Sequence, residues 1–176
     1  MSTDEQLMLS AAEGDMDAFE ELVRRHQQSA LNVAYRFLSD RTLAEDVAQE
    51  AFMKILAGAD RYRPAARFRT YLYNVIWHLC VDVHRKRKPL RLESLRPQPS
   101  DEDGPADAAL RDERSARVQA AIRNLPPRQR MALVLKHYEG MSYKEIGKAL
   151  RCSARAVDAL LSRAKRQLKE ELKDAI

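Results

Sequence analysis

Residues 142–166 read SYKEIGKALRCSARAVDALLSRAKR, and this stretch decides the fold of the C-terminal half of the chain. Ser142 followed three residues later by Glu145 is a capping-box pattern, which predicts the start of a short helix. Ser153 predicts the cap of a second helix, rich in Lys and Arg, that runs to about Leu172. A short helix, a tight turn and a longer basic helix form the helix-turn-helix arrangement, whose second helix lies in the major groove of DNA.

The apolar residues of this stretch are expected to hold its two helices together; they are Ile146, Leu150, Val157 and Leu161. At the start of the second helix, Arg155 is expected to stand near the floor of the groove, where side chains read bases. Farther along the helix, we expect cations that contact phosphates without reading sequence at Arg163, Lys165 and Arg166.

Toward the N-terminus, a helix is predicted to stop near Leu125, and Pro126 with Pro127 starts the next one at the position where proline is tolerated. Before them, Pro97 to Asp107 combine prolines, a glycine and an acidic cluster, without apolar periodicity. We interpret this segment as a flexible acidic linker. The chain then divides into a first domain at 1–90, a linker at 91–112 and a second domain at 113–176.

The first domain shows apolar residues at helical spacing, including the stretches Thr3 to Ala12, Met16 to Leu38 and Arg69 to Lys86. Between the last two, Thr42 with Glu45 is a second capping-box pattern that predicts another helix start. Only 5 glycines are present, and no evenly spaced alternating runs suggest strands. The sequence therefore predicts an all-α fold of two small helical domains.

The net charge of +5 hides four blocks of alternating sign. Their net charges are −7 over residues 1–60, +8 over 61–96, −4 over 97–112 and +8 over 113–176. Two basic blocks separated by an acidic one suggest polyanion contacts on two separate modules, because a surface without a partner usually intersperses its signs. Bipartite binding of nucleic acid is therefore the first hypothesis.

The first basic block interleaves arginines with aromatic rings, and its members are Arg61, Tyr62, Arg63, Arg67, Phe68, Arg69, Tyr71, Tyr73 and Trp77. Positive charge along a backbone, with rings on which bases stack, is how proteins grip single-stranded nucleic acid. Phe68 and Trp77 also fit the buried stripe of a helix, so a core position is the alternative for them. The run Arg85 to Lys88 fits either a phosphate contact or a solvated helix end.

Other classes of protein are disfavoured. No stretch approaches the ~20 apolar residues that span a bilayer, so we expect a cytoplasmic protein without membrane insertion. Cys80 and Cys152 are the only cysteines, which suits a reducing compartment and leaves a redox role open for either. His78, Cys80 and His84 point in different directions on a helix, so we expect no metal. Without a P-loop, dinucleotide turn or nucleophile motif, we expect no cofactor and no catalytic site.

Five stretches of the chain are similar, in order and spacing, to those of one known family. They are AEDVAQEAF at 44–52, FRTYL at 68–72, LPPRQR at 125–130, YKEIG at 143–147 and residues 157–165. That family is the extracytoplasmic-function (ECF) group of sigma-70 family sigma factors, and the resemblance runs from about residue 10 to residue 172. The stretch at 44–52 looks like the family's polymerase-binding helix, and the stretch at 68–72 looks like its promoter-melting helix. The remaining stretches look like its second DNA-binding domain.

The resemblance implies an alternative sigma factor that binds core RNA polymerase, recognises the −35 and −10 promoter elements and melts DNA. The polymerase contacts that it implies are Asp46, Gln49 and Glu50. For the −10 element, including the melted non-template strand, it implies Arg61, Arg63, Arg69, Tyr71, Tyr73, Asn74, Trp77, His78, Arg85 and Lys86. For the duplex −35 element it implies Arg128, Tyr143, Ser153, Arg155, Asp158, Arg163, Lys165 and Arg166. It also implies an anti-sigma factor that covers these faces.

Three departures from the family's pattern affect how bases are read. His78 stands where the family usually has Asn, and Tyr71 replaces the commoner Trp while keeping a ring. Asp158 and Leu160 occupy positions that are often Lys and Arg. Direct readout therefore shifts toward Arg155, while Asp158 can accept a hydrogen bond from cytosine.

Three other interpretations stay open, namely a sigma-like decoy that sequesters an anti-sigma factor, a two-domain repressor of duplex DNA, and an enzyme. A decoy would have no use for the basic aromatic block. A repressor would have little use for the acidic helix at 44–52. An enzyme would need a catalytic motif that the sequence lacks.

Overall fold

The computed structural model describes residues 1–87 and 107–173, and every regular element in these two ranges is helical. The first domain contains α1 (Asp4–Ala12), α2 (Met16–Leu38), α3 (Arg41–Ala57), a short 3-10 helix (Ala59–Arg61) and α4 (Phe68–Arg87). The second contains α5 (Asp107–Arg123), α6 (Pro127–His137), α7 (Tyr143–Leu150) and α8 (Ala154–Glu171). The prediction of an all-α fold is confirmed. None of the helices in the described ranges has an apolar stretch that could span a bilayer.

Most of the predicted linker at 91–112 lies outside the described residues, together with Lys88 and the acidic cluster. On its N-terminal side, α4 ends at Arg87, shortly before the proline at position 89. On its C-terminal side, α5 begins at Asp107, inside the range that we assigned to the linker. The helical part of the C-terminal half therefore starts earlier than residue 113.

The helix caps follow the sequence with one exception. The box of Ser142 and Glu145 at the start of α7 is present in both directions, and Ser153 caps α8. The predicted box at Thr42 is wrong, because Asp40 is the N-cap of α3 and its carboxylate accepts the Leu43 N–H at 3.0 Å. Asp40 has the extended backbone of a cap, and its negative charge suits the positive end of the helix dipole.

In the first domain, α1 holds the start of α4. The Glu5 carboxylate accepts the backbone N–H of Phe68, the first residue of α4, at 2.8 Å. This bond satisfies one of the donors that every helix leaves free at its N-terminus. On α1 itself, Asp4 bonds Arg25 at 3.0 Å and His26 at 2.7 Å, which fixes α1 on α2. The part of the first basic block that lies on α4 therefore has a defined position relative to α1.

The two domains pack against each other through helices on both sides. α7 lies across α4, and α6 lies against α2. Arg130 of α6 is only 2% exposed, and its guanidinium donates to the carbonyl oxygens of Phe37 at 3.0 Å, Arg123 at 2.6 Å and Leu125 at 3.0 Å. One buried side chain thus joins the end of α2 to the entrance of α6.

Candidate nucleic-acid interface

Part of the first basic block lines a surface cavity of about 410 Å³. Tyr62 and Tyr71 line it with ring centroids 5.5 Å apart, and Arg61 and Arg63 stand exposed beside them. Asn74 of α4 also lines the cavity. The cavity combines cations, aromatic rings and an amide. Such groups bind the backbone, the base faces and the base edges of a single strand.

Both tyrosine hydroxyls in this cavity stay neutral near pH 7. Burial, together with the negative charge of nearby Glu5, raises the pKa of Tyr62 to about 12. Burial also raises the pKa of Tyr71, against an opposing effect of Arg61. The rings therefore add no negative charge that would repel a phosphate backbone.

Two aromatic residues predicted for the −10 element are buried, and so is Tyr62, at 7% exposed. Tyr73 is 1% exposed and Trp77 is 6% exposed. The ring of Trp77 packs edge-on against Phe37 at 5.9 Å, while the Arg128 guanidinium of the second domain lies 6.0 Å from its centroid. The core position foreseen for Trp77 and Phe68 is confirmed. A base contact by Tyr73 or Trp77 stays a prediction.

The remaining predicted −10 residues follow along α4. His78 is exposed, and its Nδ1 lies 2.7 Å from the carbonyl oxygen of Asn74. Arg85 and Lys86 are exposed in the last turn of the helix. All three side chains are exposed, and their contacts with the −10 element stay predictions.

The start of α4 carries a set of polar contacts with the second domain. Arg69 donates from Nη2 to the Glu145 carboxylate at 3.3 and 3.4 Å, and from Nη1 to the carbonyl oxygen of Glu139 at 3.4 Å. The Tyr73 hydroxyl donates to the Glu139 carboxylate at 2.7 Å. The Asn74 amide donates to the carbonyl oxygen of Ala149, also at 2.7 Å. Three residues predicted to bind the −10 element are therefore engaged by α7 and the turn before it.

The helix-turn-helix predicted from the sequence is present as α7, a tight turn and α8. Arg151 adopts the left-handed conformation with φ 55°, and the N–H of Cys152 bonds the carbonyl oxygen of Gly147 at 2.8 Å. A Cβ on Gly147 would stand 2.6 Å from the carbonyl oxygen of Cys152. The turn is therefore so close to α7 that only glycine fits there. The four apolar residues expected between the helices are buried, namely Ile146, Leu150, Val157 and Leu161.

The residues predicted for the −35 element fall into two groups. Those on α8 are all exposed, and they are Arg155, Asp158, Arg163, Lys165 and Arg166. Arg155 and Asp158 lie in the first turns of the helix, the end that a recognition helix presents to bases. Ser153 uses its hydroxyl to cap α8, Tyr143 is half-buried beside Lys136, and Arg128 is turned toward Trp77.

The residues predicted to bind polymerase share the outer face of α3. Asp46, Gln49 and Glu50 are exposed, whereas Val47 is buried one residue away. The sequence analysis did not single out Met53, which is 71% exposed. Because residues three and four positions apart lie on one side of a helix, Met53 belongs to the same face.

Sequence reasoning missed the role of the second domain's acidic residues. Glu145 was identified only as a capping residue, and no contact was predicted for Glu139. Nor did it foresee that Lys148 and Arg151 line the cavity of the first domain. No local signal could have found them, because their partners lie far away in sequence; Arg69 and Glu145 are 76 positions apart.

Two family models match the chain, sigma-70 region 2 over residues 22–89 and sigma-70 region 4 over residues 115–168. The sigma-H factor of Pseudomonas aeruginosa is 32% identical, and the match covers 96% of this chain and 93% of that protein. The ECF sigma factor SigW of Bacillus subtilis is 31% identical, with 92% of each chain covered. The chain belongs to the ECF sigma factors of the sigma-70 family. SigE of Mycolicibacterium smegmatis is 35% identical over 89% of this chain, which spans only 62% of that relative.

Two solved structures share the fold of this ECF chain. CnrH, determined in complex with the cytosolic domain of CnrY, is 28% identical and superposes with a TM-score of 0.76 over 98% of this chain and 99% of that one. The sigma factor RpoE of Bartonella quintana, determined with the anti-sigma factor NepR, has a TM-score of 0.70 at 22% identity, over 88% and 96% of the two chains, and it supports the fold alone.

Proposed function

We propose that this ECF sigma factor binds core RNA polymerase through the outer face of α3, reads a −35 duplex with α8 and captures a melted −10 strand on α4. The observation that carries the proposal is a pair of exposed faces with opposite charge, an acidic one on α3 and a basic one on α8. The outer face of α3 offers the exposed carboxylates of Asp46 and Glu50, whereas five of the predicted −35 residues, four of them cations, stand exposed on α8. Proteins that bridge an enzyme and DNA need two such faces.

The outer face of α3 supports a protein contact. Asp46 and Glu50 supply charge and Gln49 an amide, while the exposed Met53 supplies an apolar contact beside them. Interfaces favour methionine and often combine such an apolar contact with a polar rim. Substitution within this face should therefore weaken polymerase binding without affecting DNA binding.

On α8 the roles separate by position. Arg155 and Asp158, near the N-terminal end, are placed to read base edges in the major groove. Arg163, Lys165 and Arg166 are placed to contact phosphates, which position the protein without reading sequence. We infer that loss of Arg155 changes promoter preference, whereas loss of a later cation weakens binding to all sequences.

Regulation by an anti-sigma factor is a further part of the proposal. It rests on CnrH, which superposes with this chain and was determined in complex with CnrY. A partner of that kind would cover promoter-binding and polymerase-binding faces together. We also infer that the chain acts in the cytoplasm, where polymerase and promoter DNA are, and that it has no catalytic activity of its own.

Run-off transcription tests the proposal directly. Purified bacterial core polymerase is combined with the intact protein and with a DNA fragment from upstream of its own gene. We expect a discrete start site with the intact protein and none with Asp46→Arg, because the arginine reverses a charge at the polymerase contact. Arg155→Ala should lower the yield from this promoter without abolishing polymerase binding.

Glu13→Arg is the matched control, since it reverses an exposed charge at the C-terminal end of α1, where the helix dipole favours a cation. This variant should transcribe like the intact protein. If the intact protein starts no transcript on a broad promoter library but binds an anti-sigma protein, the decoy interpretation replaces the proposal.

A further inference from the structure

We propose that the cavity of about 410 Å³ beside α4 is a binding site for a nucleoside polyphosphate, a small molecule whose phosphates suit the cations of the cavity and whose base suits its rings. This inference goes beyond the proposed function, which gives no role to two cations that the second domain brings to the cavity. These cations are Lys148, on α7, and Arg151, in the turn that follows it.

Five cations line the cavity, and all of them are exposed. They are Lys54, Arg61 and Arg63 of the first domain and Lys148 and Arg151 of the second. No carboxylate of the described residues lines the cavity. Of the five cations, only Lys54 forms an ion pair with another described residue, Glu50 at 4.0 Å. A cleft lined by charges of one sign attracts counter-ions, so the cavity is suited to a ligand with several negative charges.

The backbone of Arg151 gives a separate reason to assign a role to its side chain. Arg151 follows α7 in the left-handed conformation, with φ 55° and ψ 53°. Glycine or asparagine is usual at such a position, because other side chains make this conformation unfavourable. A strained residue whose side chain lines a cavity points to a function for that side chain.

The first domain supplies the surface for a base. Tyr62 and Tyr71 line the cavity with ring centroids 5.5 Å apart, and Tyr71 is the more exposed of the two. Bases of any kind stack on aromatic faces. The Asn74 amide donates to the carbonyl oxygen of Ala149 at 2.7 Å, so its oxygen is the atom that can accept a hydrogen bond from a base.

Size and composition together select the class of ligand. Pockets that bind small molecules and cofactors typically measure about 300–1,000 Å³, and this cavity lies in that range. Inorganic phosphate would leave the rings without a partner, and a nucleoside would leave the cations without one. We assign binding and not hydrolysis, because Mg²⁺ at a phosphoryl-transfer site needs a carboxylate, and none of the described carboxylates lines the cavity.

A ligand in this cavity should also affect capture of the −10 strand. Arg61, Arg63 and Tyr71 line the cavity and are predicted to contact that strand. Ligand and strand therefore compete for the same groups. This consequence rests on the proposed function, whereas binding of the ligand does not.

The test removes the two cations of the second domain and keeps the backbone of the turn. The double variant is Lys148→Gln/Arg151→Asn, because glutamine is a good helix former and asparagine tolerates the left-handed conformation. Its matched control is Lys144→Gln/Lys169→Gln, which removes two exposed cations of the second domain that do not line the cavity. Both variants lose the same net charge. A third variant, Tyr71→Leu, removes a ring and leaves all five cations in place.

Fluorescence anisotropy of a labelled GTP measures binding to the full chain in EDTA, with unlabelled GTP, inorganic tripolyphosphate or guanosine as competitor. We expect one GTP bound per chain, tighter binding of GTP than of tripolyphosphate, and no measurable binding of guanosine. The double variant should weaken GTP binding about threefold to thirtyfold, the range for two partly exposed charge contacts. The control should bind GTP like the parent. The Tyr71→Leu variant should weaken binding of GTP and leave tripolyphosphate unaffected.

Equal weakening of GTP binding in the double variant and the control would overturn the proposal, because the net charge of the chain would then explain the binding. Tripolyphosphate that binds as tightly as GTP would overturn it too, since the rings would have no part.

The binding measurement needs neither polymerase nor DNA, so the two proposals fail separately. GTP that binds as expected, but does not displace a labelled non-template −10 strand, would contradict the proposed place of that strand on α4. A chain that captures the strand but binds no GTP would contradict only the ligand site.

Discussion

At the scale of single residues, Gly147 shows how a tight turn constrains one position. The backbone of the turn between α7 and α8 passes so close that an added Cβ would lie 2.6 Å from the carbonyl oxygen of Cys152. A backbone oxygen cannot swing away like the end of a flexible side chain. The close approach of α7 to the turn before α8 therefore depends on glycine at position 147.

We expect Gly147→Ala to lower the free energy of unfolding by about 1–3 kcal/mol, the usual cost of overpacking, and to weaken binding to a −35 duplex. Urea denaturation and anisotropy measure the two effects. Gly58→Ala is the control, because its Cβ would stand at an ordinary 3.4 Å from the carbonyl oxygen of Lys54. Equal stabilities of the two variants would show that the turn tolerates a methyl group.

The two cysteines differ in ways that the sequence could not reveal. Cys80 is fully buried, and burial raises the pKa of its thiol. Cys152 lies half-exposed in the turn of the helix-turn-helix. Since the thiolate is the reactive form, a redox role is disfavoured for Cys80.

In the native protein we therefore expect a disulfide reagent such as dithionitrobenzoate to titrate one thiol quickly and the second only after denaturation. Cys152→Ser should abolish the fast phase, and Cys80→Ser should leave it intact. A fast phase that survives in Cys152→Ser would mean that Cys80 becomes exposed by local opening.

At the scale of helices, the caps explain where each element begins. Short-range patterns identified Ser142 and Ser153 correctly, because a cap bonds a donor only two or three residues away. For α3 we predicted Thr42 as the cap, whereas the cap is Asp40. Both residue types can cap a helix, and the two positions lie within one turn of each other. At the same scale, the cations along α8 determine how binding to a −35 duplex depends on salt.

The affinity of the full chain for a −35 duplex should fall steeply with salt, because every phosphate contact releases counterions. Arg163→Ala should reduce the slope of log K against log salt by about 0.9, the contribution of one phosphate contact. Anisotropy between low and moderate NaCl concentration measures the slope. Lys169→Ala, an exposed cation nearer the end of α8, should leave it unchanged; a reduced slope for both variants would mean that phosphates are contacted along the whole helix.

At the scale of the whole molecule, one buried arginine couples the domains. Arg130 satisfies the carbonyl oxygens of Phe37, Arg123 and Leu125 at once. A buried acceptor left without a donor costs about 1–3 kcal/mol. The folding of the first domain and of the second is therefore linked through this side chain.

Arg130→Ala should lower the free energy of unfolding by about 1–3 kcal/mol, and it should broaden or split the denaturation curve, as the domains lose a shared contact. Urea denaturation followed by circular dichroism measures both. Arg128→Ala removes an exposed arginine from the same helix and should change stability by less than about 0.5 kcal/mol. A single, unshifted transition for Arg130→Ala would contradict the coupling.

The amino-acid sequence by itself determined the helices, the helix-turn-helix and the two basic blocks. These features depend on residues a few positions apart, since caps bond within one turn and apolar stripes repeat every three or four residues. Even the family follows from short stretches such as those at 44–52 and 125–130. Which residues of those stretches reach solvent was already implied by the buried stripe that accompanies them.

Only the tertiary structure decided that α7 covers α4. Arg69 and Glu145, 76 positions apart, meet because the two domains pack on each other, and no local pattern encodes that packing. The sequence alone placed Tyr73 among the rings that receive bases, whereas in the structure it is 1% exposed and its hydroxyl donates to Glu139 of the second domain. Periodicity identifies the face of a helix that is polar, but the neighbour that lies on that face depends on the free energy of the whole molecule.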